Sequence, residues 1–149
     1  MNDLRELYQE TILEHYRKPR NYHDLPQATA HADGYNPLCG DKVRVHLTLS
    51  DGVVTDVAFE GSGCAISTAS ASIMTETLKG KTIEEANRLF TTFHELVTED
   101  GPQPDATELG KLAVFGGVRE FPMRVKCATL AWHTMKAALD QKNDPVSTE

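Results

Sequence analysis

The chain has 149 residues, a formal net charge of -7, 40% hydrophobic and 25% charged residues. This suits one globular domain with a real core and excludes a disordered or fibrous chain. The excess of Asp and Glu argues against a nucleic-acid partner, because phosphate binding needs concentrated Lys and Arg. No stretch approaches the roughly 18 uninterrupted apolar residues of a membrane span, and Met1 to Arg20 is charged and has no apolar leader core. The protein is therefore expected in the cytoplasm, with no membrane partner. Three cysteines cannot all pair with one another, so reduced thiols are a better reading than a disulfide framework.

In chain order, Leu4, Leu7, Tyr8, Ile12 and His15 or Tyr16 recur at helical spacing, which predicts an amphipathic helix over Asp3 to Arg17, closed before Pro19. Asn21 to Pro37 reads as a loop with a short strand around Ala28 to Ala32. Val43, Val45, Leu47 and Leu49 alternate with polar residues, then Asp51-Gly52 precedes a second run over Val53 to Glu60, a β-hairpin with one buried face. After Gly61-Ser62-Gly63-Cys64, a run of Ala and Ser leads into Ile73, Met74 and Leu78, a helix able to pack very close to a neighbour and stopped by Gly80. Thr82 with Glu85 forms a capping-box pattern for the next helix. A break follows at Gly101 to Pro104, then a short helix over Ala106 to Phe115 ended by Gly116-Gly117. Pro122 opens the last helix, which runs to about Asp140. The expected result is one α+β domain over residues 1–142, a small antiparallel sheet of two or three strands with helices on one face, and a frayed tail over 143–149.

The three cysteines each lie at a junction: Cys39 in a turn before the first hairpin strand, Cys64 at the entry to a helix, Cys127 in an early turn of the last helix. Helix N-termini favour thiolate over thiol, at Cys64 and by the same logic at Cys127. The hairpin brings Cys39 and Cys64 together at the end opposite Asp51-Gly52, and Asp41, two residues from Cys39, shares its face. Three thiolates and a carboxylate form a tetrahedral set suited to Zn²⁺. Taken one at a time, a cysteine is more often a small apolar core residue than a ligand. The glycines beside Cys39 and Cys64 favour the site, because they let backbone approach a metal or a partner. Arg124, one helical turn before Cys127, reads either as a partial electrostatic offset to the site or as a solvent-facing arginine. His15, His46, His94 and His133 form no His-x3-His pattern and read as surface or boundary residues.

The segments Asn36-Pro37-Leu38-Cys39-Gly40-Asp41, Gly61-Ser62-Gly63-Cys64-Ala65-Ile66-Ser67 and Arg124-Val125-Lys126-Cys127-Ala128-Thr129-Leu130-Ala131-Trp132 resemble the three signatures of the IscU/NifU family of iron–sulfur assembly proteins. The chain is most similar to the SufU branch, and the resemblance implies a SufE/NifU-like fold. It departs from the IscU scaffolds in having Lys126, not histidine, before Cys127, and Glu120-Phe121-Pro122-Met123-Arg124 where those proteins carry a chaperone-recruiting segment. The resemblance implies Zn²⁺ on Cys39, Asp41, Cys64 and Cys127. It also implies that Cys39 accepts persulfide sulfur from a SufS-type cysteine desulfurase and relays it to a downstream iron–sulfur scaffold or apo-proteins. The alternative is a scaffold on which the same ligands hold iron or a labile [2Fe–2S] cluster for delivery to apo-proteins. A purely structural zinc domain is the third reading.

Overall fold

The computed structural model describes residues 3–98, 107–141 and 146–147. The expected break at Gly101 to Pro104 and most of the expected tail lie outside the described residues. Helix α1 spans Asp3–Arg17. It is followed by strands β1 (Ala30–Asn36), β2 (Asp41–Ser50) and β3 (Val53–Ser62), then helices α2 (Ala65–Leu78) and α3 (Ile83–Thr98). A 3₁₀ segment over Thr107–Glu120, helix α4 (Pro122–Leu139) and the two-residue strand β4 (Val146–Ser147) complete the order.

The sheet order is β3-β2-β1-β4, antiparallel through β3, β2 and β1 and parallel where β4 meets β1. The fold class is therefore the α+β arrangement expected, with one short parallel strand added. Val146–Ser147 pairs with Gly34 and Tyr35 at a point where the sequence suggests only a fraying tail. Strand β1 reaches Asn36 rather than ending near Ala32, because its backbone pairs with β2 all the way to Asn36↔Asp41. The β2–β3 turn has positive φ at both Asp51 and Gly52, the primed geometry that matches strand twist.

Val43, Val45 and Leu47 point into the core, which α2 and α4 cover, while Lys42, Arg44 and His46 lie on the opposite face of the sheet. The small residues of α2 allow the close packing expected of them. Ser70 Oγ donates to the Ala128 carbonyl of α4 at 2.6 Å, and Ser72 Oγ lies 2.7 Å from His15 Nδ1 of α1. His15 is thus fully buried rather than a surface or boundary residue. It continues the inward stripe of α1 one turn after Ile12, and a serine rather than water satisfies its ring nitrogen. The capping box forms as predicted, with Thr82 N donating to Glu85 Oε1 at 2.9 Å and Glu85 N to Thr82 Oγ1 at 3.0 Å.

The segment expected to be a helix over Ala106 to Phe115 is instead 3₁₀ across Thr107–Glu120, broken at Gly110 where φ is 56°. Its Leu109, Leu112, Phe115 and Val118 are buried, and Phe115 meets Phe93 edge-on, while Trp132 of α4 stacks on the same Phe93 at 4.8 Å. The outer edge of β3 is covered by the chain after α1. Phe59 N donates to the Asn21 carbonyl at 3.0 Å and His23 N to the Phe59 carbonyl at 3.1 Å, so the row of unpaired β3 groups is blunted.

A candidate metal centre at the end of the sheet

The β1–β2 turn, the exit of β3 and the second turn of α4 meet at one end of the sheet. Asn36 organises the turn. Its backbone carbonyl accepts from Gly40 N at 2.8 Å and Cys39 N at 3.3 Å, its Oδ1 accepts from Leu38 N at 3.0 Å, and its Nδ2 lies 3.8 Å from Cys39 Sγ. Gly40 takes φ +75° with no atom near a would-be Cβ, so it serves the turn rather than a close approach. Cys39 is left exposed at the tip.

Asp41, the first residue of β2, is fully buried. Its Oδ1 accepts from Cys64 N at 2.9 Å and its Oδ2 lies 3.7 Å from Cys64 Sγ. Gly63 makes this possible, because a Cβ there would sit 2.6 Å from Asp41 Oδ1. Cys64 is the N-cap of α2, and its sulfur accepts from Ser67 N at 3.4 Å. Cys127 is buried on α4, with its Sγ 3.6 Å from that of Cys39.

Donor atoms of Cys39, Asp41 and Cys127 all lie within 4.8 Å of one another, and Cys64 borders this triad across Asp41. Thiolates on a four-coordinate zinc sit about 2.3 Å from the ion and hence about 3.8 Å apart. The 3.6 Å between Cys39 and Cys127 suits that geometry. Among the described residues no ion pair neutralises Asp41. A buried carboxylate among thiols, with a single backbone donor on it, is a donor set that a bound cation would complete. The residues present therefore fit a zinc ion.

Cys64 and Cys127 differ in character. A hydrogen bond from Cys127 lowers Cys64 to about 7, aided by the Ser67 and Ile66 N–H groups and opposed by burial and the Asp41 charge. Cys127 moves the other way, held as the thiol by its hydrogen bond to Cys64, by burial and by the Cys64 charge. Cys127 is the sixth residue of α4, beyond the first turn where the helix terminus acts, so the helix start favours thiolate at Cys64 more than at Cys127. At Cys64 the expectation from the helix start agrees with the direction found. Arg124 is exposed and its guanidinium lies 4.4 Å over the Phe121 ring, so its described contact is aromatic and not with the thiols. Asn36, which cysteine spacing overlooks, positions the turn that carries Cys39; a polar residue three positions before a turn cysteine is the signal the sequence offers.

A sheet of this order with thiols and a carboxylate gathered at its end defines an α+β domain that carries a candidate metal centre. The chain belongs to the NifU-like N terminal domain family, which it matches over residues 7–128. It is 40% identical over 134 residues to the zinc-dependent sulfurtransferase SufU of Bacillus subtilis, covering 90% of each chain. It is 37% identical over 139 residues to the iron-sulfur cluster assembly scaffold protein IscU of Streptococcus pyogenes, covering 93% of this chain and 86% of that one. Among solved structures, it superposes with a TM-score of 0.83 at 34% identity on an iron-sulfur cluster assembly scaffold protein for the SUF system from Fervidobacterium islandicum, covering 90% and 97% of the two chains.

Proposed function

We propose that this protein works in iron–sulfur cluster assembly, taking sulfur onto Cys39 from the persulfide of a SufS-type cysteine desulfurase and passing it to a downstream scaffold or apo-protein. The observation that carries the reading is the asymmetry of the cluster. Asp41 and Cys127 are buried, and Cys64, although exposed, is tied down as the cap of α2 by Ser67 N and beside Asp41, whereas Cys39 stands exposed on a turn. The resemblance to a zinc-dependent sulfurtransferase supports the same reading.

A zinc ion on Cys39, Asp41, Cys64 and Cys127 would keep the thiols deprotonated at neutral pH. The Cys39 sulfur, swung outward on its turn, attacks the terminal sulfur of the desulfurase persulfide. The donor S–S bond breaks, its electron pair leaves with the desulfurase thiolate, and a new S–S bond forms on Cys39 with no net oxidation. Asp41, Cys64 and Cys127 hold the site while Cys39 is away. Leu38, Phe121 and Met123, exposed apolar side chains next in sequence to Cys39 or on the first turn of α4, offer surface for the partner enzyme.

Mass spectrometry after incubation with a persulfide-loaded desulfurase tests the assignment. One sulfur atom is expected on the wild-type peptide containing Cys39 and none on Cys39→Ala. Sulfur uptake by Cys39→Ala would show the nucleophile to be wrong. A second reading, a scaffold for a labile [2Fe–2S] cluster, rests on the scaffold relatives and on the same thiol set. Anaerobic reconstitution with ferrous iron and sulfide, followed by transfer to an apo-ferredoxin, would favour it.

A further inference from the structure

The outer face of the sheet carries a second convergence of ligand-type side chains. His46 on β2, Glu60 on β3 and Asp24 in the chain covering the β3 edge bring one donor atom each to within 4.8 Å of one another. His46 Nε2 lies 2.8 Å from Glu60 Oε1 and 3.7 Å from Asp24 Oδ1. By sequence His46 reads as a surface or boundary residue, yet its side chain is only 5% exposed, while those of Asp24 and Glu60 are 64% and 42% exposed. A buried imidazole thus aims one nitrogen at two carboxylates that open to solvent.

We propose that Asp24, His46 and Glu60 form a second site, for a divalent transition metal of the Zn²⁺ or Fe²⁺ class. Ligands about 2.1 Å from a four-coordinate ion stand about 3.4 Å apart, and the two observed separations bracket that spacing. A neutral imidazole with two carboxylates carries two negative charges, which one divalent ion neutralises, and water can complete its shell from the open side. The neighbouring cation is already engaged: Arg44 grips Asp33 through Nε–Oδ1 at 2.7 Å and Nη2–Oδ2 at 3.1 Å. The His31 ring packs against that of His46 at 6.2 Å and fixes its orientation from β1. Strand register keeps the ligands in place, since Glu60 pairs with Arg44, two residues from His46. Bonds from His23 N to Phe59 and from Phe59 N to Asn21 anchor the segment carrying Asp24.

This site is separate from the thiol cluster. Asp41 and His46 lie on opposite faces of β2, five residues and so roughly 16 Å apart. The donor sets differ as well: nitrogen and oxygen here, mainly sulfur there, so the two sites sort metals by softness.

The test uses the full chain with one equivalent of zinc on the thiols, titrated with Co²⁺ under equilibrium dialysis and followed by absorption spectroscopy. One further equivalent is expected, with weak d–d bands and no sulfur-to-cobalt charge-transfer band. His46→Gln and Glu60→Gln should each weaken that second equivalent at least about tenfold and leave the first zinc in place. Glu60→Gln changes a half-exposed side chain and guards against a folding artefact at His46. Equal cobalt binding by wild type and both variants, no second equivalent, or a charge-transfer band would each overturn the proposal. Sulfur uptake by Cys39 plays no part in the readout, so failure here leaves the proposed function standing.

Discussion

Replacing Gly63 by Ala isolates the contact that holds the carboxylate of the thiol cluster. The added methyl would lie 2.6 Å from Asp41 Oδ1, well inside contact distance, and Gly63 does not occupy the left-handed region, so sterics alone decide the outcome. The carboxylate must turn away from Cys64 N, which it now accepts at 2.9 Å. A hydrogen bond to a charged group contributes about 1.5–3 kcal/mol. For a chain of 149 residues each kcal/mol shifts the unfolding midpoint by about 2–4 °C, so a decrease of about 3–12 °C is expected for the metal-free protein. Because Asp41 also faces the thiols, zinc affinity should fall by a comparable free energy, about 10- to 100-fold by competition with a chromogenic chelator. Calorimetry and the chelator titration read the two effects separately. Unchanged zinc affinity in a folded Gly63→Ala variant would refute the placement of Asp41 as a ligand.

Cys39→Ala should keep far-UV dichroism near wild type while losing sulfur acceptance, whereas Cys127→Ala, which removes a buried ligand, should lower zinc affinity and thermal stability together. Zinc binding should release protons and weaken as pH falls, more steeply below about 7, because Cys127 is held as the thiol until metal displaces its proton and Cys64 adds a second proton near 7; calorimetric titration in buffers of different ionisation enthalpy counts the protons. Burial lowers the pKa of both His15 and His133, so the unfolded chain takes up protons first. Stability of the metal-free protein should therefore decline as pH falls through the ordinary histidine range near 6.5, and urea midpoints for His15→Gln should show a shallower decline.

The parts of the fold written in local pattern were legible. Alternation in β2, the Asp51-Gly52 turn, the Thr82–Glu85 capping box and the small-residue run of α2 each carry their cause within a few residues. What escaped depends on partners far along the chain. Ala30-His31-Ala32-Asp33-Gly34-Tyr35-Asn36 holds no β-branched residue, and its strand exists because β2 supplies hydrogen bonds along its full length. His15 is buried because Ser72, 57 residues away, receives it. His46 is buried because His31 on β1, Glu60 on β3 and the Asp24 segment crowd a face that alternation marks as exposed. At the thiol cluster, the hairpin accounts for Cys39, Asp41 and Cys64 meeting, while Cys127 entered the set by residue type and the resemblance supported its place there. The contrast between Cys64 and Cys127 required knowing that the fold sets the two thiols against each other, with burial adding to it.

Sulfur transfer to this protein through a metal-bound thiol site, as proposed, should depend on the metal. The most direct measurement is alanine production by a SufS-type cysteine desulfurase with the zinc-loaded protein and with the demetallated protein, side by side. Strong stimulation by the zinc form alone is the predicted result. Stimulation by neither form, or by the metal-free form alone, would contradict it.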